Sequence, residues 1–256
     1  MKNLKKISLL GVFAATIAFS SCSNEAEIGS RDTPTYYPVI TLSGDDPAFV
    51  EAGGSYTDPG AVGTIDGVEV PLSTRFVGKY RGNVYTELNT SVSDVYNLEY
   101  SAVNADGFTS SASRKVIVAE TGDLVNSIAG LYTVTTRRNG ALLPASQGSS
   151  VDMEYILIWK NTDGTYGISD AAGGWYAIGR NIADSETPGG IIVANNIATN
   201  DFSFPATMTN TYFGGVATIS NLTVDPVTKT LVLTSPWLAP PSTNYTFELV
   251  MKQVQF

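Results

Sequence analysis

The chain has 256 residues, 43% of them hydrophobic, and carries 24 acidic against 15 basic groups, a formal charge of −9 with no histidine. So acidic a chain lacks the basic footprint that phosphate binding needs, which excludes nucleic acid as a partner. Without histidine there is no Ser-His-Asp triad, no Cys-His dyad and no imidazole zinc site, and a single cysteine makes no internal disulfide; any chemistry must come from carboxylates, hydroxyls, Lys, Arg or a hard cation.

Residues 1–21 read as an export signal. Lys2, Lys5 and Lys6 form a positive start, Ile7 to Phe19 an apolar core, and Ser20-Ser21 a small-residue cleavage site. That core is too short to span a bilayer, which takes about 20 apolar residues. The sole cysteine, Cys22, follows directly. The segment resembles a bacterial type II (lipoprotein) signal peptide, although Phe19 stands where an aliphatic residue is usual. The resemblance implies that Cys22 is acylated and becomes the first residue of a mature protein anchored to a membrane without spanning it. The alternative is an ordinary signal that happens to end near a cysteine. Removing the signal takes away three lysines and no acids, leaving a formal charge of −12.

Residues 22–35, the acylated cysteine and a polar stretch without periodicity, read as a flexible tether. Glu25 and Glu27 resemble the acidic export tags of surface lipoproteins. From 36 to 120 the chain is rich in Val, Ile, Thr, Tyr and Phe in short runs broken by turns such as Asp58-Pro59-Gly60 and Asp66-Gly67, an all-β pattern. Tyr96, Leu98, Tyr100 and Ala102 alternate with polar residues, so one face of that strand is expected to be buried. About seven short strands fit an immunoglobulin-like sandwich. The runs Pro38-x-Ile40-x-Leu42-x-Gly44, Val50 to Ala61, Tyr96-x-Leu98-x-Tyr100 and Arg114-x-Val116-x-Val118 resemble a bacterial Ig-like domain also found in pesticidal crystal proteins. Asp94 stands where that family usually has Gly. The resemblance implies that Asp58 is a turn former rather than a metal ligand, and no metal site or cofactor is expected.

Residues 121–126 are a polar linker, and 127–256 form a second, antiparallel β-barrel or β-sandwich domain. Hairpins are expected at Arg138-Asn139-Gly140, Asn161 to Gly164 and Asp225 to Lys229. Tyr155 to Trp159 is apolar on both faces, the pattern of a central strand, with Trp159 in the core. The final strand, Tyr245 to Met251, alternates with its aromatic face inward, and no stretch of helical periodicity occurs.

The stretch Ile168 to Arg180, with Gly173-Gly174-Trp175-Tyr176 and Gly179-Arg180, resembles the C-terminal domain of Bacteroidetes outer-membrane lipoproteins, which follows an Ig-like domain. Those proteins are often associated with SusC/SusD-type glycan uptake systems. The resemblance implies an outer-membrane, cell-surface location and glycan or an uptake protein as partner.

Sugar sites use flat aromatic faces rimmed by planar polar groups. Trp175 and Tyr176, flanked by Asp170 and Arg180, are therefore candidate ligand-binding residues, together with Tyr212 and with Trp237, which the Pro-rich run Pro236 to Pro241 is expected to hold exposed in a loop. If Trp175 and Tyr176 lie in a strand, one of them must face the core. Asp152, Glu154, Asp163, Asp170, Asp184 and Glu186 are the carboxylates a glycoside hydrolase would draw on, though no hydrolase motif accompanies them. The leading expectation is a non-catalytic, lipid-anchored binding protein. The alternatives are a structural or adhesive surface lipoprotein whose aromatics are all core, and an unrecognised glycoside hydrolase.

Overall fold

The computed structural model describes residues 34–255; the export signal, Cys22, Glu25 and Glu27 lie outside them. Residues from Tyr37 onward form one compact unit. Helix among the described residues is limited to two 3-10 turns, Ala145–Gln147 and Ile197–Thr199, so the class is all-β as the short alternating runs require.

Eight strands precede residue 120. β1 (Val39–Leu42), β3 (Ala61–Ile65) and β4 (Val68–Val70) form one sheet; β2 (Ala48–Glu51), β5 (Ser73–Gly78), β6 (Val84–Tyr85), β7 (Asp94–Val103) and β8 (Thr109–Ala119) form another, ordered β2-β8-β7-β5-β6, with β2 parallel to β8. Phe76, Tyr96, Leu98, Tyr100, Val116 and Val118 are buried against Ile40, Leu42, Ala61 and Leu72, so the alternation of β7 became the face of a sandwich core. Two motifs distant in sequence meet here. Asp58 caps its own turn by accepting from the Gly60 amide (2.9 Å) and from the Tyr100 hydroxyl (2.5 Å), while buried Arg114 donates to the Gly60 carbonyl (2.7 Å) and lies over the Tyr100 ring. Asp58 is thus a turn former, as expected.

Ten strands follow: β9 (Gly130–Arg138), β10 (Met153–Lys160), β11 (Tyr166–Ile168), β12 (Gly190–Asn196), β13 (Asp201–Ser203), β14 (Thr207–Asn210), β15 (Gly214–Thr218), β16 (Asn221–Asp225), β17 (Thr230–Ala239) and β18 (Thr243–Gln253). They make one curled half-barrel sheet ordered β13-β12-β11-β10-β9-β18-β17-β15-β14, with β16 alongside β17. The expected hairpins occur at 138–141, 161–165 and 225–230. The core contains Tyr132, Ile156, Ile158, Trp175, Tyr176, Trp237, Phe247 and Leu249.

A separate apolar cluster joins the two halves. Ile117 and Ala119 of β8 pack with Leu131 of β9 and with Leu157 and Trp159 of β10, and Tyr80, Val95 and Tyr155 close its edge. This is why β10 is apolar on both faces: Ile156 and Ile158 face the barrel core while Leu157 and Trp159 face the sandwich. Tyr80 stacks on Trp159 (ring centroids 6.1 Å, 20° between planes), and Lys79 pairs with Glu186. The loop carrying both residues is held by buried Asp94, whose carboxylate accepts from the amides of Tyr80 (3.0 Å), Arg81 (3.0 Å) and Val95 (2.8 Å). A Cβ on Gly78 would lie 2.5 Å from that carboxylate. The residue that departs from the usual Gly of the Ig-like pattern is therefore the strut of the junction.

Truncating a large buried aromatic usually costs about 3–5 kcal/mol. Tyr80→Ala is expected to cost about 2–4 kcal/mol in thermal or denaturant unfolding, because it removes a ring stacked on Trp159 and leaves a cavity in the joining cluster. An unchanged unfolding midpoint would show that this ring contributes nothing to the junction.

Candidate functional site

The Gly-Gly-Trp-Tyr stretch is a chain of turns from 171 to 179, not a strand. Gly173 (φ 60°) and Gly174 (φ 72°) are both left-handed, and a Cβ on Gly173 would lie 2.4 Å from Leu249. The turn is nucleated by Asp170. Its carboxylate, 2% exposed, accepts from the amides of Ala172 (2.8 Å), Gly174 (2.9 Å) and Thr187 (2.9 Å). Thr136 Oγ1 anchors the turn from β9 by donating to the Gly173 carbonyl (2.6 Å). Because the backbone coils, Trp175 (2% exposed) and Tyr176 (4%) both point inward. The alternation expected for a strand does not apply to them.

Trp237 is corrected as well. It is 5% exposed and lies within β17, not in a loop, with its Nε1 donating to the Gly214 carbonyl (3.0 Å). β17 runs through Pro236 because the prolyl nitrogen falls in a gap: β16 pairs with β17 only up to Thr234, and β15 pairs from Trp237 onward. No ladder partner is lost there, so the proline is tolerated.

Five of the six candidate side chains nevertheless gather at one end of the half-barrel. Tyr176 contacts Trp237 (centroids 5.7 Å), Phe247 (6.1 Å) and Phe213 (4.8 Å), and Trp175 contacts Phe247 (6.1 Å). Tyr212 stands edge-on to Phe213 (4.8 Å, 69°) and is 65% exposed. Arg180 is exposed, with its guanidinium 5.9 Å from the Tyr176 ring centre. Asp170 makes none of these ring contacts; both of its oxygens are taken by backbone amides inside the protein, which leaves them no free face for a substrate. Glu186 is likewise engaged, by Lys79.

Two residues of this end were not foreseen. Arg138, read only as part of a hairpin turn, donates to the Tyr176 hydroxyl (3.1 Å) and lies over the rings of Tyr245 (4.5 Å) and Trp175 (5.1 Å). Asn210, 1% exposed, donates to the Ser185 carbonyl (2.6 Å) and Thr187 Oγ1 (3.0 Å) and accepts from the amides of Tyr212 (3.2 Å) and Phe213 (2.8 Å). It fixes the hairpin tip that carries the exposed ring. The signal was an Asn just ahead of the 211–213 turn, a residue whose side chain bonds to backbone two positions on.

Comparison with known proteins agrees with this architecture. A family model described as a bacterial surface protein, Ig-like domain, matches residues 40–118. Another, described as a BT2262-like C-terminal domain, matches residues 121–253, just over half of the chain. The chain belongs to the BT2262-like family. Among solved structures, the lipoprotein BT2262 from Bacteroides thetaiotaomicron aligns with TM-score 0.57 and 22% identity, covering 85% of this chain and 100% of its own, which shows a shared fold. No curated protein matches the chain. The aromatic end, from Arg138 to Phe247, thus lies within the BT2262-like part.

Burial raises the Asp170 carboxyl to about 6 against the lowering effect of its three amide donors, with nearby Glu186 adding to the rise. Burial also raises Asp94. A carboxyl whose folded pKa is raised binds its proton more tightly folded than unfolded, so the stability it contributes is fullest below the ordinary value near 3.8 and is lost as pH rises through about 6. The unfolding free energy is therefore expected to rise on acidification from neutral pH toward pH 5, by about 1 kcal/mol from Asp170, with the unfolding midpoint rising accordingly, and Asp170→Asn should flatten that rise. A midpoint that falls over this interval would contradict the assignment. Trp237→Ala should behave as a core deletion, costing about 3–5 kcal/mol, whereas Tyr212→Ala should change stability by less than about 0.5 kcal/mol; thermal melts separate the two.

Proposed function

We propose that the protein is a lipid-anchored outer-membrane protein displayed at the cell surface, in which the Ig-like sandwich is a spacer and the BT2262-like domain is a non-catalytic binding module for glycan within a SusC/SusD-type uptake system. The observation that carries the binding reading is Tyr212, a 65% exposed ring on a hairpin tip whose backbone is pinned by Asn210. An exposed aromatic on a rigid support offers a sugar an apolar face at little cost in ordering. The anchor reading is supported by the sole cysteine directly after an export signal, by the match to a surface Ig-like domain, and by the description of the structurally similar BT2262 as a lipoprotein.

A second reading, a structural or adhesive surface protein, draws on the burial of Trp175, Tyr176 and Trp237, which leaves Tyr212 as the one exposed member of that set. Screening the mature chain on a glycan array against Tyr212→Ala distinguishes the two. Loss of a wild-type signal in the variant, with an unchanged melting curve, is the outcome expected for a binding module; no signal from either protein favours the structural reading. For the anchor, Cys22→Ala is expected to release the protein from the membrane fraction, and mass spectrometry of the mature N-terminus should find acyl chains on Cys22. An unmodified cysteine there would refute it.

A further inference from the structure

Two arginines border the aromatic end. Arg138 and Arg180 border the same ring, Tyr176, from different elements, one reaching its hydroxyl and the other its face. The ion pairs among the described residues are Arg75–Glu99 and Lys79–Glu186, so neither arginine of this end is neutralised by a carboxylate. Burial raises the Tyr176 phenol, and the charges that oppose the rise are those of Arg138 and Arg180. In a chain with 24 acidic and 15 basic residues, two cations thus meet at Tyr176, whose ring is joined to the exposed Tyr212 through Phe213. Both guanidiniums are held mainly against ring faces, which attract a cation but leave N–H donors open.

We infer that this end recognises an anionic glycan, a chain of sugars bearing carboxylate or sulfate groups, with Tyr212 stacking on a sugar face and Arg180, supported by Arg138, receiving the acid. The inference rests on the binding reading above and narrows it. A guanidinium presents paired donors that match a carboxylate or sulfate, and such charge-assisted bonds are about twice as strong as neutral ones. A neutral sugar would leave Arg180 without its counter-charge. The excess of negative charge over the rest of the protein opposes nonspecific adsorption to a polyanion, so retention by one reports a local site.

The test is affinity electrophoresis of the mature chain in gels containing polygalacturonate, alginate or dextran sulfate, with methyl-esterified polygalacturonate as the uncharged counterpart and polyglutamate as a charged chain without sugar. Retardation is expected by at least one acidic polysaccharide, weakening with added salt, and by neither control. Arg180→Gln should weaken it by about tenfold, as loss of a hydrogen-bonded charge does, and Tyr212→Ala should weaken it too, with melting curves unchanged for both exposed positions. Equal retardation by the esterified polymer would overturn the anionic inference and leave glycan binding standing. Equal retardation by polyglutamate would overturn the sugar half. Failure of every polysaccharide, charged or uncharged, to retard the protein would overturn both this inference and the binding reading, whereas binding to acidic polysaccharide unaffected by Arg180→Gln would place the site elsewhere and overturn the assignment.

Discussion

One buried carboxylate connects the parts of this molecule. Asp170 accepts two amides of its own turn and a third from Thr187, across a gap of seventeen positions. The turn carries Trp175 and Tyr176 into the core, where they form the floor of the aromatic end. Through Thr187 the same carboxylate fixes the 185–187 loop, on which Asn210 hangs the Tyr212–Phe213 tip and from which Glu186 reaches Lys79 of the sandwich. A carboxylate that accepts several backbone amides in a dry site is satisfied only if every donor is in place, so it acts as a cooperative node rather than a single contact.

Asp94 is the counterpart on the sandwich side. It too is buried, accepts three backbone amides and orders a loop without secondary structure, the one that delivers Lys79 and Tyr80 to the half-barrel. Each of the two carboxylates thus orders a loop, and the two loops meet where Lys79 pairs with Glu186. Tyr80, between them, has its phenol raised by burial and by the nearby charges of Glu186, Asp170 and Asp94. The junction is consequently polar at its edge and apolar at its centre, where Trp159 and Leu157 lie on Ile117 and Ala119.

The aromatic end shows how a core can grade into a surface. From Trp175 through Phe247, Tyr176 and Phe213 to Tyr212 the rings run in steps of contact from full burial to exposure. Tyr212 is supported from within by Phe213, and its tip is pinned by Asn210, so packing and loop hydrogen bonds together hold the exposed face. Arg138 lies among the rings, with its charge balanced by ring faces and one hydroxyl. That arrangement suits a recognition surface better than an isolated tyrosine would.

The all-β class, the hairpins, the buried face of β7 and the inward aromatics of β18 were legible in the chain because alternation and turn chemistry are local properties that act over two to four residues, while the role of Asp58 followed from the family resemblance. The sequence also brought attention to the residues that converge at the aromatic end. Tertiary structure alone decided which of them are exposed. Trp237 looked like a loop residue because its prolines are strand breakers in isolation, yet the partial lengths of β15 and β16 open a gap that accepts Pro236. Trp175 and Tyr176 both turned inward because paired left-handed glycines, held by a carboxylate, replaced the strand that would have separated them. Arg138 and Asn210 acquired their roles only from elements far along the chain that came to surround them, and burial set by such distant neighbours leaves no trace in local spacing.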